Sequence, residues 1–270
     1  MPAFTIITVC LNIASTIRRT CESIVHQTFQ DFQWIVVDGA STDGTLDILK
    51  EYSSRIDILI SEPDKGIYNA MNKGIRLANG EYINFMNGGD EFFEKTTLEK
   101  VFSTGMNADI VYGDEYIVGE NTYLLRNHRK LCKKSLYKKS IYHQSVFVKA
   151  RLHKKIHFDE SFIIAADYDF FTKLFMSKKY VFRRIDLVIS VFYLDGISSN
   201  QHNYSTLANE KERIHSKYYC FIQRFKWDND YKREIINKIS HCWMAITHPR
   251  YIAGGIKRII SNSWQRKSNV

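Results

Sequence analysis

The sequence predicts an α/β fold: a mostly parallel sheet flanked by helices, followed by a helical, basic C-terminal extension. Three observations carry that expectation. Short Ile/Val-rich apolar runs alternate with stretches of helical periodicity, the pattern of βαβ units. Successive apolar runs end in Asp/Gly-rich turns. The charge is also divided, with 9 Lys/Arg against 18 Asp/Glu in residues 1–120 and 29 against 11 in residues 121–270.

Phe4–Leu11 and Gln33–Asp38 read as buried parallel strands, being continuous and rich in Ile and Val. Between them, Ser15–Thr28 places Ile17, Cys21, Ile24 and Val25 at helical spacing. A second helix is expected at Thr45–Tyr52, through Leu46, Ile48 and Leu49, and a strand at Asp57–Ser61. Tyr68–Ala78 is a helix with Met71, Ile75 and Leu77 inward, and Tyr82–Asn87 is the next strand. A helix around Phe92–Val101 follows, then a fifth strand closing at Val111–Asp114 and another at Ser145–Lys149. The polar stretch Ser198–Asn203 sets a boundary, giving a domain over 1–203 and a helical, basic region over 204–270. In that region Tyr218, Tyr219, Phe221, Phe225, Trp227 and Tyr231 are interleaved with cations. Its last helix, Arg250–Trp264, carries an isoleucine stripe beside Lys257, Arg258 and Arg266, although Gly254-Gly255 weakens it. Such a helix either lies in the headgroup plane of a membrane or packs its isoleucines on the domain.

Composition narrows the function classes. Hydrophobic residues at 44% and charged residues at 25% are those of a globular chain. The N-terminal apolar run has no cationic leader and is interrupted by Thr5 and Thr8, so it reads as a strand and not a signal peptide. No run of 18 apolar residues suggests a membrane span. The five cysteines are scattered without a CxxC pair, against a disulfide framework or a zinc site, and fit a reducing cytoplasm. The basic second half attracts phosphate in some form.

Ligands of parallel sheets sit beyond the carboxyl ends of the strands. There the chain places Asp38, Asp64, Asp90 and Asp114, each with a neighbouring glycine. Asp90, after Gly88-Gly89, can hold a divalent cation that neutralises a diphosphate, or simply cap the next helix. Asp38 can accept from a base or ribose hydroxyl, or close an Asx-turn. Asp167 ends an apolar approach, where a raised pKa suits a general base; a helix N-cap is equally natural. Asp169 lies two residues on, so only one of the two carboxylates would face a cleft. His143 alone is as readily structural as catalytic, and the Lys/Arg pairs can bind phosphate or simply face water.

The order of these motifs resembles the inverting glycosyltransferase family 2, with its GT-A fold. The residues concerned are Thr8–Asn12, Asp38–Thr45, Asp64–Gly74, Gly80–Asp90, His143–Phe147 and Ala165–Asp169. The DGASTDGT and DKGIYNAMNKG forms look most like the branch that builds O-antigen and other surface polysaccharide repeat units on undecaprenyl diphosphate. The resemblance implies a nucleotide-sugar donor, a UDP-sugar foremost, held by Thr8, Asn12, Asp38, Asp64, Lys65, Asn72, Gly89 and Asp90. It implies Mn²⁺ or Mg²⁺ on Asp90 and Asp167 as the base that deprotonates the acceptor hydroxyl. Asp114, His143, Gln144 and Asp169 become acceptor-side candidates. The implied setting is cytoplasmic, peripheral on the inner face of the cell membrane, with a lipid-diphosphate acceptor. The sequence departs from the family pattern in two places. Asp38-Gly39 replaces a double Asp, and the DxD motif reads Asn87-Gly88-Gly89-Asp90, leaving one carboxylate for a metal.

Two other classes were weighed on the residues. A nucleotidyltransferase would carry a glycine-rich basic loop after the first strand, where Asn12-Ile13-Ala14-Ser15-Thr16 stands instead. A nucleic-acid-binding protein fits the overall charge of +9 but not an acidic rim, so no nucleic-acid partner is expected.

Overall fold

The computed structural model describes residues 1–119, 122–125, 127–193 and 203–230. It divides into two units, Met1–Tyr218 and Tyr219–Val270.

In the first unit, β1 (Phe4–Cys10), α1 (Ile17–Val25), β2 (Phe32–Asp38), α2 (Thr45–Glu51), β3 (Ile58–Ser61), α3 (Ile67–Leu77) and β4 (Tyr82–Phe85) alternate as the sequence anticipates. Then come β5 (Glu91–Phe92), α4 (Thr97–Ser103), β6 (Ile110–Val118), β7 (Tyr123–Leu125), α5 (Lys133–Lys138) and β8 (Val146–Lys149). The unit ends with α6 (Ala150–Lys155), α7 (Ala166–Ser177), β9 (Phe182–Tyr193) and α8 (Tyr204–Tyr218). The sheet order is β3-β2-β1-β4-β8-β6-β9-β5, with β7 beside β6. The pairs β3/β2, β2/β1 and β1/β4 are parallel; β8 joins antiparallel between β4 and β6, and β6/β9 is parallel again.

Side chains on successive strand residues point to opposite faces, and the core follows that rule. On β1, Ile7 and Val9 enter the cluster under α3 and α7, while Phe4, Ile6 and Cys10 enter the one under α1 and α4. On β2 the same split separates Ile35 and Val37 from Trp34 and Val36. The central strands are therefore buried on both faces, which is why they are apolar throughout instead of alternating.

Three boundaries differ from the sequence expectation. The helix anticipated around Phe92–Val101 begins at Thr97, because Glu91 and Phe92 pair with Val191 and Ser190 as β5. Asp114 does not close a strand; β6 continues to Val118, since Glu115–Val118 pair with β9. Helix α8 lies beyond the 203 boundary, yet within the first compact unit. In the second unit, residues 221–230 are helical, with Phe221 stacked on Phe225. Segment Arg250–Trp264 lies outside the described residues. Among the described residues no helix is long and apolar enough to cross a membrane.

Candidate active site

The loops that follow β1, β2 and β3 lock together at the carboxyl end of the sheet. Asn12, at φ +50°, donates its N–H to Ser41 Oγ (2.8 Å), and its side-chain oxygen accepts from Thr42 N (2.9 Å). Asp43 accepts from Ala14 N (2.8 Å) and from both N and Oγ1 of Thr45 (3.0 and 2.6 Å). Asp64 accepts from Gly66 N (2.8 Å) and presses on Gly39, where a Cβ would come within 2.7 Å of its Oδ2. Lys65 beside it is exposed.

Asp38 is fully buried and its carboxylate is taken up by its own surroundings. Oδ2 accepts from Ser41 N (3.0 Å) and Ser61 Oγ (2.6 Å); Ser41 Oγ donates to Oδ1. Its oxygens thus brace the loop as an Asx-turn does. Two further residues expected on the donor side also have partners within the fold. Thr8 is buried and accepts from Trp34 Nε1 (3.1 Å), because its position on β1 faces the core. Asn72 is buried in a bracket with the main chain of Phe158 and with Glu160, tying α3 to the loop after α6.

The turn carrying Asp90 is clamped by α1. Arg19 Nε donates to Gly89 O (2.6 Å), while Thr20 Oγ1 accepts from Gly89 N (2.9 Å) and donates to Asp90 O (2.6 Å). Gly89 adopts φ +100°, which favours glycine, and Gly88 packs against Ile13, whose Cδ1 would lie 2.1 Å from an added Cβ and would have to move. Asp90 itself is 7% exposed, and its Oδ2 accepts from Gln144 Nε2 (3.1 Å).

Opposite stands Asp167, in the first turn of α7. The cap position belongs to Ala165, so Asp167 is not the N-cap. The loop before α7 is held instead by Glu210 of α8, which accepts from the N–H groups of Ile163, Ile164 and Ala165. Asp167 is left to face the cleft. Its Oδ2 lies 3.1 Å from His143 Nδ1, and its Oδ1 accepts from Tyr168 N (2.8 Å); Tyr68 Oη, which donates to Ile164 O (2.5 Å), lies 3.3 Å from the same oxygen. His143 Nε2 in turn accepts from Asn87 Nδ2 (3.0 Å), which fixes Nδ1–H as the donor to Asp167. Burial works to lower the His143 pKa, but the hydrogen bond and charge of Asp167, with Asp90 and Glu115 behind it, raise it on balance.

Asp169 and Asp114 stand apart from this cluster. Asp169 is buried against α8 and paired with Lys217 Nζ (2.9 Å), because two residues along a helix turn it to another face. Asp114 is buried against Arg184 (2.8 Å) and accepts from Asn127 N (2.9 Å). Both form ion pairs within the fold.

Reasoning from sequence passed over Glu115, Tyr68 and Asn87. Glu115 is 1% exposed and accepts from Ser190 Oγ (3.1 Å). Burial first, and the charge of Asp90 second, push its carboxyl up to about 8. Residue parity along β6 points Glu115 away from Asp114, and reading the strand past Asp114 would have exposed it. Among the described residues no three His, Cys, Asp or Glu side chains gather to hold a metal. The oxygen donors available near Asp90 are its own carboxylate and Asn87 Oδ1, which is buried and has no hydrogen-bond partner.

The pair His143-Gln144 thus bridges the two carboxylates, His143 to Asp167 and Gln144 to Asp90. The model for "Glycosyl transferase family 2" matches residues 5–176. A PGL/p-HBAD biosynthesis glycosyltransferase of Mycobacterium tuberculosis is 32% identical over 206 residues, covering 74% of this chain and 80% of that protein. A putative teichuronic acid biosynthesis glycosyltransferase of Bacillus subtilis is 35% identical over 102 residues, 37% of this chain and 40% of its own. Among solved structures, S. aureus TarS 1–349 in complex with UDP-GlcNAc superposes with a TM-score of 0.63 at 19% identity, over 80% of this chain and 71% of that one. The mannosyltransferase PcManGT of Pyrobaculum calidifontis, in complex with GDP-Man and Mn²⁺, gives 0.59 at 19% identity, over 81% and 69%. With a family match across most of the chain and the GT-A-like sheet beneath it, this chain belongs to glycosyltransferase family 2 and is a transferase.

Proposed function

We propose that the chain transfers a sugar, with inversion at C1, from a nucleotide-sugar donor to a hydroxyl of a lipid-diphosphate-linked acceptor in bacterial surface polysaccharide assembly. The observation that carries this reading is the bridge of His143 and Gln144 between Asp167 and Asp90. It holds a base opposite a diphosphate-binding turn, the arrangement that a single displacement needs.

In this reading Asp167 takes the acceptor proton as the oxygen attacks C1. His143 Nδ1–H holds Oδ2 in place, and the Tyr168 N–H holds Oδ1, so the carboxylate reaches the hydroxyl without searching rotamers. The loops from Asn12 to Thr45 and the exposed Lys65 form the nucleoside and phosphate side, with Asp38 as their internal brace. Asp90 and Asn87 Oδ1 are hard oxygen donors that suit Mn²⁺ or Mg²⁺, with donor phosphates completing the shell. A cation held by them would supply positive charge to neutralise the departing nucleoside diphosphate. UDP is the favoured carrier, supported by the TarS complex; the relatives' glycolipid and cell-wall names support a lipid-linked acceptor. The reading places the protein peripherally on the cytoplasmic face of the membrane, held there by Arg250–Trp264.

A thermal-shift screen of UDP-, GDP- and dTDP-sugars, with and without Mn²⁺, tests the donor. Stabilisation by one UDP-sugar that depends on Mn²⁺ is expected, and no response to any nucleotide sugar would overturn it. Flotation of the full-length protein on anionic liposomes, beside a form ending near Thr247, tests the attachment. Equal binding of the two would remove that segment's role.

A further inference from the structure

The end of α7 remote from Asp167 carries a second feature, about 16 Å away along the helix at 1.5 Å per residue. A cavity of about 550 Å³ opens there between α7, the lower ends of β6 and β9, and the segment leading into α5. That is the size of a small-molecule site. Its floor is aromatic, with Phe175 edge-on to Phe182 (5.7 Å between centroids) and Tyr112 beside them. Its cations come from separate elements: Arg129 and Lys133 before and on α5, Lys178 closing α7, and Arg184 on β9. Among the described residues no carboxylate lines it.

Arg184 is already neutralised by Asp114 and Asp186 (2.8 and 3.1 Å), which anchors the wall, although its Nε is buried without a partner. Arg129, Lys133 and Lys178 are exposed and form no ion pair among the described residues. Elsewhere on the unit cations are commonly matched, as Arg18 is to Glu51, Lys73 to Glu62 and Arg151 to Asp109. Three unmatched cations around one aromatic hollow repel one another until an anion enters.

We infer that this cavity binds a phosphate-bearing ligand, its phosphate or diphosphate held by Arg129, Lys133 and Lys178 and its apolar portion laid on Phe175 and Phe182. The site is separate from the transfer centre, and the inference stands whether or not the donor and acceptor assignments above hold. The exposed thiol of Cys132, in the cavity wall, reports the local field. Burial would raise its pKa, but hydrogen bonds from Ser135 and Lys134 N–H and the charge of Lys130 lower it instead.

That thiol supplies the assay. The alkylation rate of Cys132 in the full-length protein is followed by peptide mass spectrometry, without divalent cations, with exposed Cys220 as internal control. Inorganic pyrophosphate is one probe; vesicles of phosphatidylglycerol, against phosphatidylcholine at equal ionic strength, are the other. At least fivefold protection of Cys132 and none of Cys220 is expected. Protection by pyrophosphate identifies a soluble phosphate ligand, and protection by phosphatidylglycerol vesicles alone identifies a lipid headgroup. In the variant Arg129→Ala/Lys133→Ala/Lys178→Ala, protection should vanish while sugar transfer and thermal midpoint stay as in wild type. Lys178→Glu alone should raise the probe concentration needed for half-protection at least tenfold. Absence of protection by either probe, or protection that survives the triple substitution, overturns the inference.

Discussion

Replacing Glu115 by glutamine probes the electrostatics beneath the site through stability and not turnover. Glu115 is 1% exposed, and its carboxyl is pushed from 4.5 up to about 8, by burial first and then by Asp90. A folded-state pKa above the unfolded one means that the native protein keeps a proton which the unfolded chain has released. That contribution is complete below pH 4.5 and is lost as the pH rises towards 8. The slope is about 1.4 kcal/mol per pH unit, so roughly 3 kcal/mol is gone by pH 7. Glutamine keeps the shape, can still accept from Ser190, and does not titrate. Urea unfolding of both proteins from pH 5 to 8 should therefore show Glu115→Gln gaining on wild type as the pH rises. The difference should grow from near zero at pH 5 to about 2–3 kcal/mol at pH 7. His143 titrates in both proteins and largely cancels from the comparison. Parallel curves would refute the argument, since they would mean that Glu115 is ionised and satisfied in the folded state.

The remaining expectations concern chemistry. Asp167→Asn should lower kcat by a factor of roughly 10²–10⁴ with donor affinity unchanged. Asp169→Asn should instead lower the thermal midpoint, by leaving Lys217 unpaired, and retain most of the turnover. The reverse pattern in steady-state kinetics would show that the wrong carboxylate carries the proton. Because Asp167 raises the pKa of His143, the imidazolium forms at a higher pH than a free imidazole would and places a positive charge beside the base. The acid limb of kcat/KM should accordingly lie above pH 6.5 and be lost in His143→Gln; an unchanged profile counts against the dyad. Asp90→Ala should cost at least about 10²-fold in turnover. Wild type should stop in excess EDTA, and full activity there would remove the cation from the reading.

Much of this was legible before any coordinates. The first four strands and three helices follow from apolar runs and helical spacing, because both are local properties of the chain. The motifs that frame the site, Asp90 and Asp167 among them, were visible for the same reason. What local pattern does not carry is which side chains the fold engages. Thr8 and Asp114 sit on strands whose other residues pair onward, so their side chains are committed to Trp34 and Arg184. Asp38 does stand at a strand end, but two serines, one 23 residues away, consume its oxygens. Glu115 was invisible because its importance lies in burial beside Asp90, a neighbour 25 positions earlier. Long-range pairings of this kind leave no periodicity to read.

The clamp that Glu210 places on the loop before α7 bears on how freely such an enzyme can be cut and recombined. The family-wide match ends at residue 176, which invites treating the stretch up to there as an exchangeable cassette. Three backbone donors of that cassette, at Ile163, Ile164 and Ala165, are nonetheless satisfied from α8, as is the charge of Asp169. Stripped of α8, the buried Ala165 N–H would lose a partner worth about 1–3 kcal/mol, the more exposed donors would turn to water, and the loop aiming Asp167 would relax. A chimera joining this chain's first 176 residues to a relative's tail would therefore inherit the reacting groups without their alignment. A graft that carries residues 204–218 along would keep both.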